Sequence, residues 1–368
     1  MNRFIDKLEI KNFKSIRHLK LSCSKINILV GKPNVGKSNI LEALSLLGAG
    51  YSSIDKNFLS EFIRYENLSN LFYDQDTRNS IEINTDGAGC ALMRFLETEQ
   101  QFELILTKEK SDAKRLSDSI KRRDSFFAQI NRNGTDPKWA AIYNVKANGI
   151  NNFRKETVNT FPSPVRKYDF KKHEKHELIT NAYSFLNPPS GENLVKIIQT
   201  NSSLRKEIGT IFSEYGLELV VDVQNNGLEI QKREDGIVIK TPYSLVADTL
   251  RRYIFHYAAI LSNQGGILLL EEPEAHSFPP YIRAMTERII ESSESNQFFI
   301  ATHSPYLLNT IIQEVKREDL RIWVATFENY ETVIKELSEQ DINQLSDYDV
   351  DIFFNLNWFM NEGAADIA

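Results

Sequence analysis

The segment GKPNVGKS, Gly31 to Ser38, restricts the fold more than any other part of this chain. It matches the pattern G-x-x-x-x-G-K-[ST] in full, and its surroundings are those the pattern requires. Before it, KINILV reads as a buried strand. After it, SNILEALSLLG reads as a helix, apolar on most sides, with Gly48 as its C-cap. Glycines let such a loop curl until backbone N–H groups point inward at phosphate oxygens, and the helix N-terminus adds a dipole that favours an anion. The candidate phosphate cradle is Gly31, Asn34, Val35, Gly36, Lys37, Ser38 and Asn39. Within it, Lys37 is assigned to the β- and γ-phosphates and the Ser38 hydroxyl to Mg2+. A strand–loop–helix unit of this kind belongs to an α/β fold.

A second feature makes sense once a triphosphate and Mg2+ are expected. In ILLLEEPEAHSFPP, Ile267 to Pro280, an apolar strand runs straight into two adjacent glutamates. Side-by-side carboxylates at a buried strand end need a cation or a proton to coexist. In P-loop ATPases an acid that closes an apolar strand holds the Mg2+ shell, and a second carboxylate just beyond it polarises the attacking water. The metal role is assigned to Glu271 and the general base to Glu272. ATHSP, Ala301 to Pro305, ends another buried strand. That places His303 at the carboxyl end of a sheet, where open α/β folds keep their ligands and an imidazole can bond a γ-phosphate or the attacking water. The expected catalytic set is therefore Lys37, Glu272 and His303.

The chain has 368 residues, enough for one large or two coupled domains. DKLEIKNF and HLKLS pair as a hairpin, and SIEIN and FELILT add strands. Residues 1–107 thus read as mixed sheet around one helix, carrying the phosphate loop. Residues 108–203 change texture: KEKSDAKRLSDSIKRRDSFFAQI is helix-compatible and basic, and the stretch is expected as an inserted, mainly helical or irregular subdomain. From 204 to 340 regular patterns resume. LELVVDV, GLEIQKR and GIVIK form an antiparallel meander with turns at Asn225–Gly227 and Asp235–Gly236. GGILLLEE, YIRAMTERIIESS, QFFIAT and SPYLLNTII then alternate strand and helix, as in a parallel sheet. Residues 341–368 are a tail expected to fray. Cys23 and Cys90 are far apart, which argues against a disulfide framework or a thiolate zinc site and fits a reducing cytoplasm. The N-terminus lacks an apolar core of signal-peptide length, and no apolar run is long enough to span a bilayer. A cytoplasmic chain without membrane contact is expected. A net charge of −6 neither announces nor excludes a nucleic-acid partner.

Taken in order, LEIKNFKSI, GKPNVGKS, LLLEEPEAHSFPP and ATHSPYLL resemble the ABC-type ATPases of the SMC, RecF and OLD group. EEPEAH followed by THSP is similar to the OLD-like bacterial ATPases of the AAA_15 and AAA_21 type. The resemblance covers residues 1–100 and about 240–310. It implies ATP as the nucleotide and a two-lobed head, with a mixed or antiparallel β lobe plus a parallel α/β core. It also implies a homodimer or higher homo-oligomer with two nucleotides sandwiched between heads. Carried onto this sequence, Lys14 and Ser15 lie near the nucleotide. The segment that completes the partner's site is YSLVADTLRR, with Ser244, Asp248 and Thr249 facing the partner's γ-phosphate, although the glycines of the usual signature are absent. Arg251 and Arg252 read equally well as charge stabilisers or as one side of an amphipathic helix. Gln75, in FIRYENLSNLFYDQD, falls where the Mg2+-sensing loop of such ATPases lies; a surface turn explains it as well. PEAHSFPP falls at the dimer-facing loop, so Glu274 and His276 are expected at that interface.

The resemblance implies a Mg2+-dependent ATPase that switches a separate protein effector, a nuclease or toxin, in anti-phage defence. The alternative is a DNA-repair or DNA-maintenance ATPase that binds DNA itself. Three further stretches stay open. His173 and His176 of KHEKHE can bind a metal or belong to a solvated charged face. KRLSDSIKRR and RKYDFKK can contact DNA or form ordinary surface. DYDVD, Asp347 to Asp351, reads as a solvated helix end rather than a two-metal nuclease site.

Overall fold

The computed structural model describes residues 4–52, 58–118, 139–146, 154–158, 163–171, 183–222, 225, 227–347 and 351–360. The N-terminal hairpin forms as β1 (Lys7–Phe13) and β2 (Ile16–Ser22), with the alternation of the sequence turning Leu8 and Ile10 inward and a break in it at Asn12, φ 56°, before the buried Phe13. The chain then crosses to a second sheet through β3 (Ile26–Gly31), all of whose residues are buried, and α1 (Lys37–Ser45) follows the phosphate loop. It returns to the first sheet in β4 (Ile81–Thr85), β5 (Cys90–Leu96) and β6 (Gln101–Thr107). After α2 (Lys110–Ser117), β7 (Ala140–Lys146) and β8 (Arg154–Val158) complete a seven-stranded antiparallel sheet of order β2-β1-β4-β5-β6-β7-β8.

The second sheet is built from segments far apart in sequence. β9 (Val165–Tyr168) forms one edge. α3 (Leu194–Thr200) and α4 (Ser202–Ser213) lead to β10 (Glu218–Asp222), β11 (Gly227–Glu234) and β12 (Ile237–Pro242), the expected meander, which stands as a separate three-stranded sheet. Then α5 (Asp248–Ser262), β13 (Ile267–Glu271), α6 (Pro279–Ser292), β14 (Gln297–Ala301), α7 (Pro305–Glu314) and β15 (Leu320–Glu328) alternate. β16 (Glu331–Glu336) folds back on β15, and α8 (Glu339–Asp347) and α9 (Leu356–Met360) follow. The order is β16-β15-β3-β14-β13-β9, parallel throughout except for β16.

The unbroken apolar run of β13 has a direct cause. Ile267 and Leu269 pack on the α1 side, with Leu29, Phe299 and Trp323; Leu268 and Leu270 pack among α5, α6 and α7. A sheet covered on both faces needs no polar alternation. Helix α1 lies between the two lobes, burying Ile40, Leu41 and Leu44 in the same cluster as Leu8 and Ile10. The two-lobed α/β architecture is thus joined through the helix that follows the candidate phosphate loop.

Three stretches differ from the sequence reading. The described part of 108–203, expected as a mainly helical or irregular insertion with a strand at KWAAIYNVKANGI, has that strand as β7 but also adds β8 beside it and β9 in the other sheet. β5 was not recognised between its neighbours. In the tail, expected to fray because it ends in small residues, the described residues as far as Met360 pack, with Ile352, Leu356 and Phe359 buried in the core, and the small residues after them lie outside the described residues. No helix among the described residues is long and apolar enough to cross a membrane.

Candidate active site

Parallel strands align their carboxyl ends, so β3, β13 and β14 deliver their following loops to one rim. At that rim the phosphate loop is shaped by two glycines. Gly31 and Gly36 have φ of 149° and 98°, and a Cβ on Gly36 would sit 2.0 Å from Thr332 Oγ1 and 2.9 Å from Ser15 Oγ. Thr332, on β16, straps the loop: its hydroxyl donates to Val35 O at 3.0 Å and lies 2.6 Å from Ser15 Oγ, and its N–H donates to Ser15 O at 2.8 Å. Asn39 Nδ2 donates to Ser15 Oγ at 2.7 Å. Ser15 therefore braces the loop from the β1–β2 turn. Asn34 is exposed at the tip with φ of 63°.

Lys37 folds back over the loop, its ammonium donating to Gly31 O and Lys32 O, both at 2.8 Å. Burial pushes its pKa down to about 8, against the pull of Glu272 and Glu271. Ser38 Oγ donates to Glu271 Oε1. The proposed metal pair is thus brought together as hydroxyl and carboxylate oxygens, the donor type that suits Mg2+. Burial raises the Glu271 pKa, but Lys167, the Ser38 bond and Arg64 outweigh it and the net direction is down.

Four residues around this pair escaped the sequence reading. Glu42, one turn beyond Ser38 on α1, is fully buried between Lys14 and Arg64, the latter at 2.8 Å. Lys14 therefore has its ammonium on Glu42 and on Arg64 O. Arg64 also reaches Glu271 at 3.5 Å. Lys167, buried on β9, stands 3.6 Å from Glu271 Oε2 and donates to Phe62 O at 2.9 Å. The fourth is Thr332. Glu42 carried a signal, a lone acid inside the apolar pattern ILEALSLL. Lys167 and Thr332 carried none, because their partners are distant in sequence.

Glu272 leaves β13 with φ of 44°, its N–H bonded to Ala301 O at 2.8 Å, and its side chain is half exposed at the rim. Its Oε1 lies 3.7 Å from His303 Nε2. Burial and the Lys37 charge lower the His303 pKa, with Glu272 opposing, so the ring is neutral near pH 7 and keeps an N–H to donate. Glu274 turns inward, contrary to its expected place at an interface. It is 9% exposed, and its Oε1 accepts from Thr302 Oγ1 at 2.6 Å and from His303 N at 2.9 Å.

The remaining candidates lie apart from this cluster. Gln75 sits on an exposed turn, where its side chain accepts from Asn70 at 3.5 Å. Ser244 is exposed before α5. Asp248, at the start of α5, pairs with Arg251 at 3.2 Å and Arg252 at 3.1 Å on its own helix. Thr249 donates to the carbonyl of His276 at 2.7 Å, which ties α5 to the loop after β13, and His276 is exposed. His173, His176 and Asp349 lie outside the described residues. Among the described residues no group of three His, Cys, Asp or Glu is placed to hold a metal ion.

Comparison with known proteins gives the family and several relatives. A family model described as "AAA domain, putative AbiEii toxin, Type IV TA system", AAA_21, matches residues 26–309. An "ATP/GTP phosphatase" of Helicobacter pylori is 23% identical over 339 residues, covering 86% of this chain and 89% of the relative. "Endonuclease GajA" of Bacillus cereus is 25% identical over 341 residues, covering 82% of this chain and 55% of the relative, so the chain spans about half of that protein. "Retron Vc95 probable ATPase" of Vibrio cholerae is 22% identical over 376 residues, covering 83% and 71%.

Proposed function

Because this chain belongs to the AAA_21 family of AAA domains, and so to the ATPases, we propose that it is a Mg2+-dependent ATP switch whose closed, two-headed state controls a separate effector protein. The observation that carries this reading is the meeting of Lys37, Ser38, Glu271, Glu272 and His303 at one sheet edge. The loop N–H groups and the α1 N-terminus receive the phosphates. Lys37 leaves its two carbonyl partners to do the same. Ser38 and Glu271 would hold Mg2+, which when bound neutralises charge on the phosphates. Glu272, beside the neutral His303, orients water and takes its proton; His303 donates to the γ-phosphate.

Support for an effector comes from the names of the relatives: a family described by a toxin, an endonuclease and a retron ATPase. ATP binds the closed pair of heads better than the open one, and that difference is the switch energy. Direct DNA binding is a second reading, favoured by the lysines around Glu9 on the antiparallel sheet: Lys11 at 3.5 Å, Lys20 at 3.9 Å and Lys110 at 3.1 Å. The test is Glu272→Gln with ATP and Mg2+, measured by turnover and by light scattering after size exclusion. It should hold ATP and run as a dimer, while Lys37→Ala binds no nucleotide. Turnover of Glu272→Gln at the wild-type rate sinks the base assignment. ATPase stimulation by DNA with a steep salt dependence would move the reading to DNA.

A further inference from the structure

We infer that Glu274 is a positioning residue for hydrolysis: it locks the His303 loop to the end of β13 and so sets where the imidazole meets the γ-phosphate. The inference rests on the role given to His303 above.

One carboxylate oxygen does two jobs. Glu274 Oε1 takes the Thr302 hydroxyl at 2.6 Å and the His303 N–H at 2.9 Å. Neither donor belongs to its own loop; both lie just beyond β14. The lacing continues in both directions. Ser304 N donates to Thr302 Oγ1 at 2.9 Å, and Ser304 Oγ accepts from Leu307 N at 3.3 Å, capping α7. Thr302 N donates to Leu29 O at 3.2 Å on β3, and Glu272 N to Ala301 O at 2.8 Å. Glu274 thus closes a network that joins the ends of β3, β13 and β14, the three strands that present Lys37, Glu272 and His303.

The environment argues that this acid was not placed for packing alone. The residue is 9% exposed, yet its Oε2 has no hydrogen-bond partner among the described residues. A buried oxygen without a partner is costly, and an apolar side chain would avoid it if filling space were the whole task. Burial, and then the charge of Glu272, raise the Glu274 pKa, although its bonds from Thr302 and His303 oppose the rise.

The experiment is a double-mutant cycle. Steady-state ATPase rates, binding of a fluorescent ATP analogue and thermal unfolding are measured for wild type, Glu274→Ala, Glu274→Gln, His303→Ala and Glu274→Ala/His303→Ala. Glu274→Ala should lower kcat at least tenfold while KM and analogue affinity stay within about twofold. Glu274→Gln keeps an acceptor at Oε1 and should recover most of the rate. The double variant should be no slower than His303→Ala, because Glu274 acts through that ring. If the two losses multiply, or Glu274→Ala keeps its rate while His303→Ala is slow, the positioning role is wrong and the His303 role stands. If His303→Ala turns over at the wild-type rate, both fall. Should Glu274→Ala fail to fold, Thr302→Val removes one of the two donors to Glu274, together with the acceptor of Ser304 N, in nearly the same shape. It should slow turnover severalfold, again without adding to His303→Ala; a multiplied loss overturns the inference.

Discussion

His256 is a histidine with nowhere to put a second proton. It is buried on α5, its Nδ1 has no hydrogen-bond partner among the described residues, and Arg252 stands near. Burial first, and that positive charge second, bring its pKa down to about 3. In the unfolded chain it titrates near 6.5. Between those values the unfolded state binds a proton that the folded state refuses, so stability rises with pH across this window and is lost as pH falls from about 6.5 toward 3. The slope from this one group is about 1.4 kcal/mol per pH unit. Urea unfolding at pH 7, 6 and 5 should show it, and His256→Phe should flatten the dependence by one proton. An unchanged slope in the variant would place the acid sensitivity elsewhere. Burial pushes the Glu9 pKa up, but its bonds with His18 and Lys110 outweigh that and bring it down to about 2, so Glu9 adds its own loss of stability as pH falls from about 4.5.

At the scale of elements, α1 depends on a buried charge. Glu42 carries Lys14 and Arg64 from two other segments, and truncating it leaves two cations around an empty site. Glu42→Ala should cost about 3–5 kcal/mol in denaturant unfolding, the usual result of breaking one side of a buried pair, and Glu42→Gln less. The strap from β16 makes a separate demand on the loop. Gly36→Ala puts a methyl where Thr332 Oγ1 stands and keeps a φ of 98° that no side chain favours. ATP-analogue affinity should fall more than tenfold, and Thr332→Ala in the same chain should restore only part of it, because about 1–2 kcal/mol of backbone strain remains. These contacts explain why some elements were legible in the sequence and others were not. β3, β13 and β14 announce themselves as short apolar runs because both of their faces are covered. β9 reads VRKY, and its charges disguise it: Arg166 is satisfied by Asn263 and stacks over Phe185 at 3.5 Å, while Lys167 is satisfied by Phe62 O. Those partners come from three other parts of the chain, and no local pattern contains them. Glu274 looked like a loop acid for the same reason, since its two donors follow β14.

At the scale of the whole molecule, the motifs themselves point to one shared edge, because each ends a core strand and parallel strands end together, whereas the two lobes were implied only by the family resemblance. What would cover that edge in the proposed closed pair is a matter of surface. Leu245 and Phe278 are 72% and 57% exposed, and the Thr249 bond to His276 O holds their two segments side by side. Large apolar side chains left in water, on the loop after β13 and on the segment tied to it, are what the proposed closing heads would bury, and such anchors near the centre of an interface dominate its energy. The corresponding prediction uses Glu272→Gln as the background, since it should accumulate the ATP-bound pair. Phe278→Asp places a charge on a side chain that the isolated head does not bury. Glu272→Gln/Phe278→Asp should bind the ATP analogue as tightly as Glu272→Gln and melt at the same temperature. It should nevertheless remain monomeric by light scattering at protein concentrations where Glu272→Gln is a dimer. Loss of nucleotide binding would mean that the substitution reached the site itself. A dimer that persists with ATP bound would place the contact on another face.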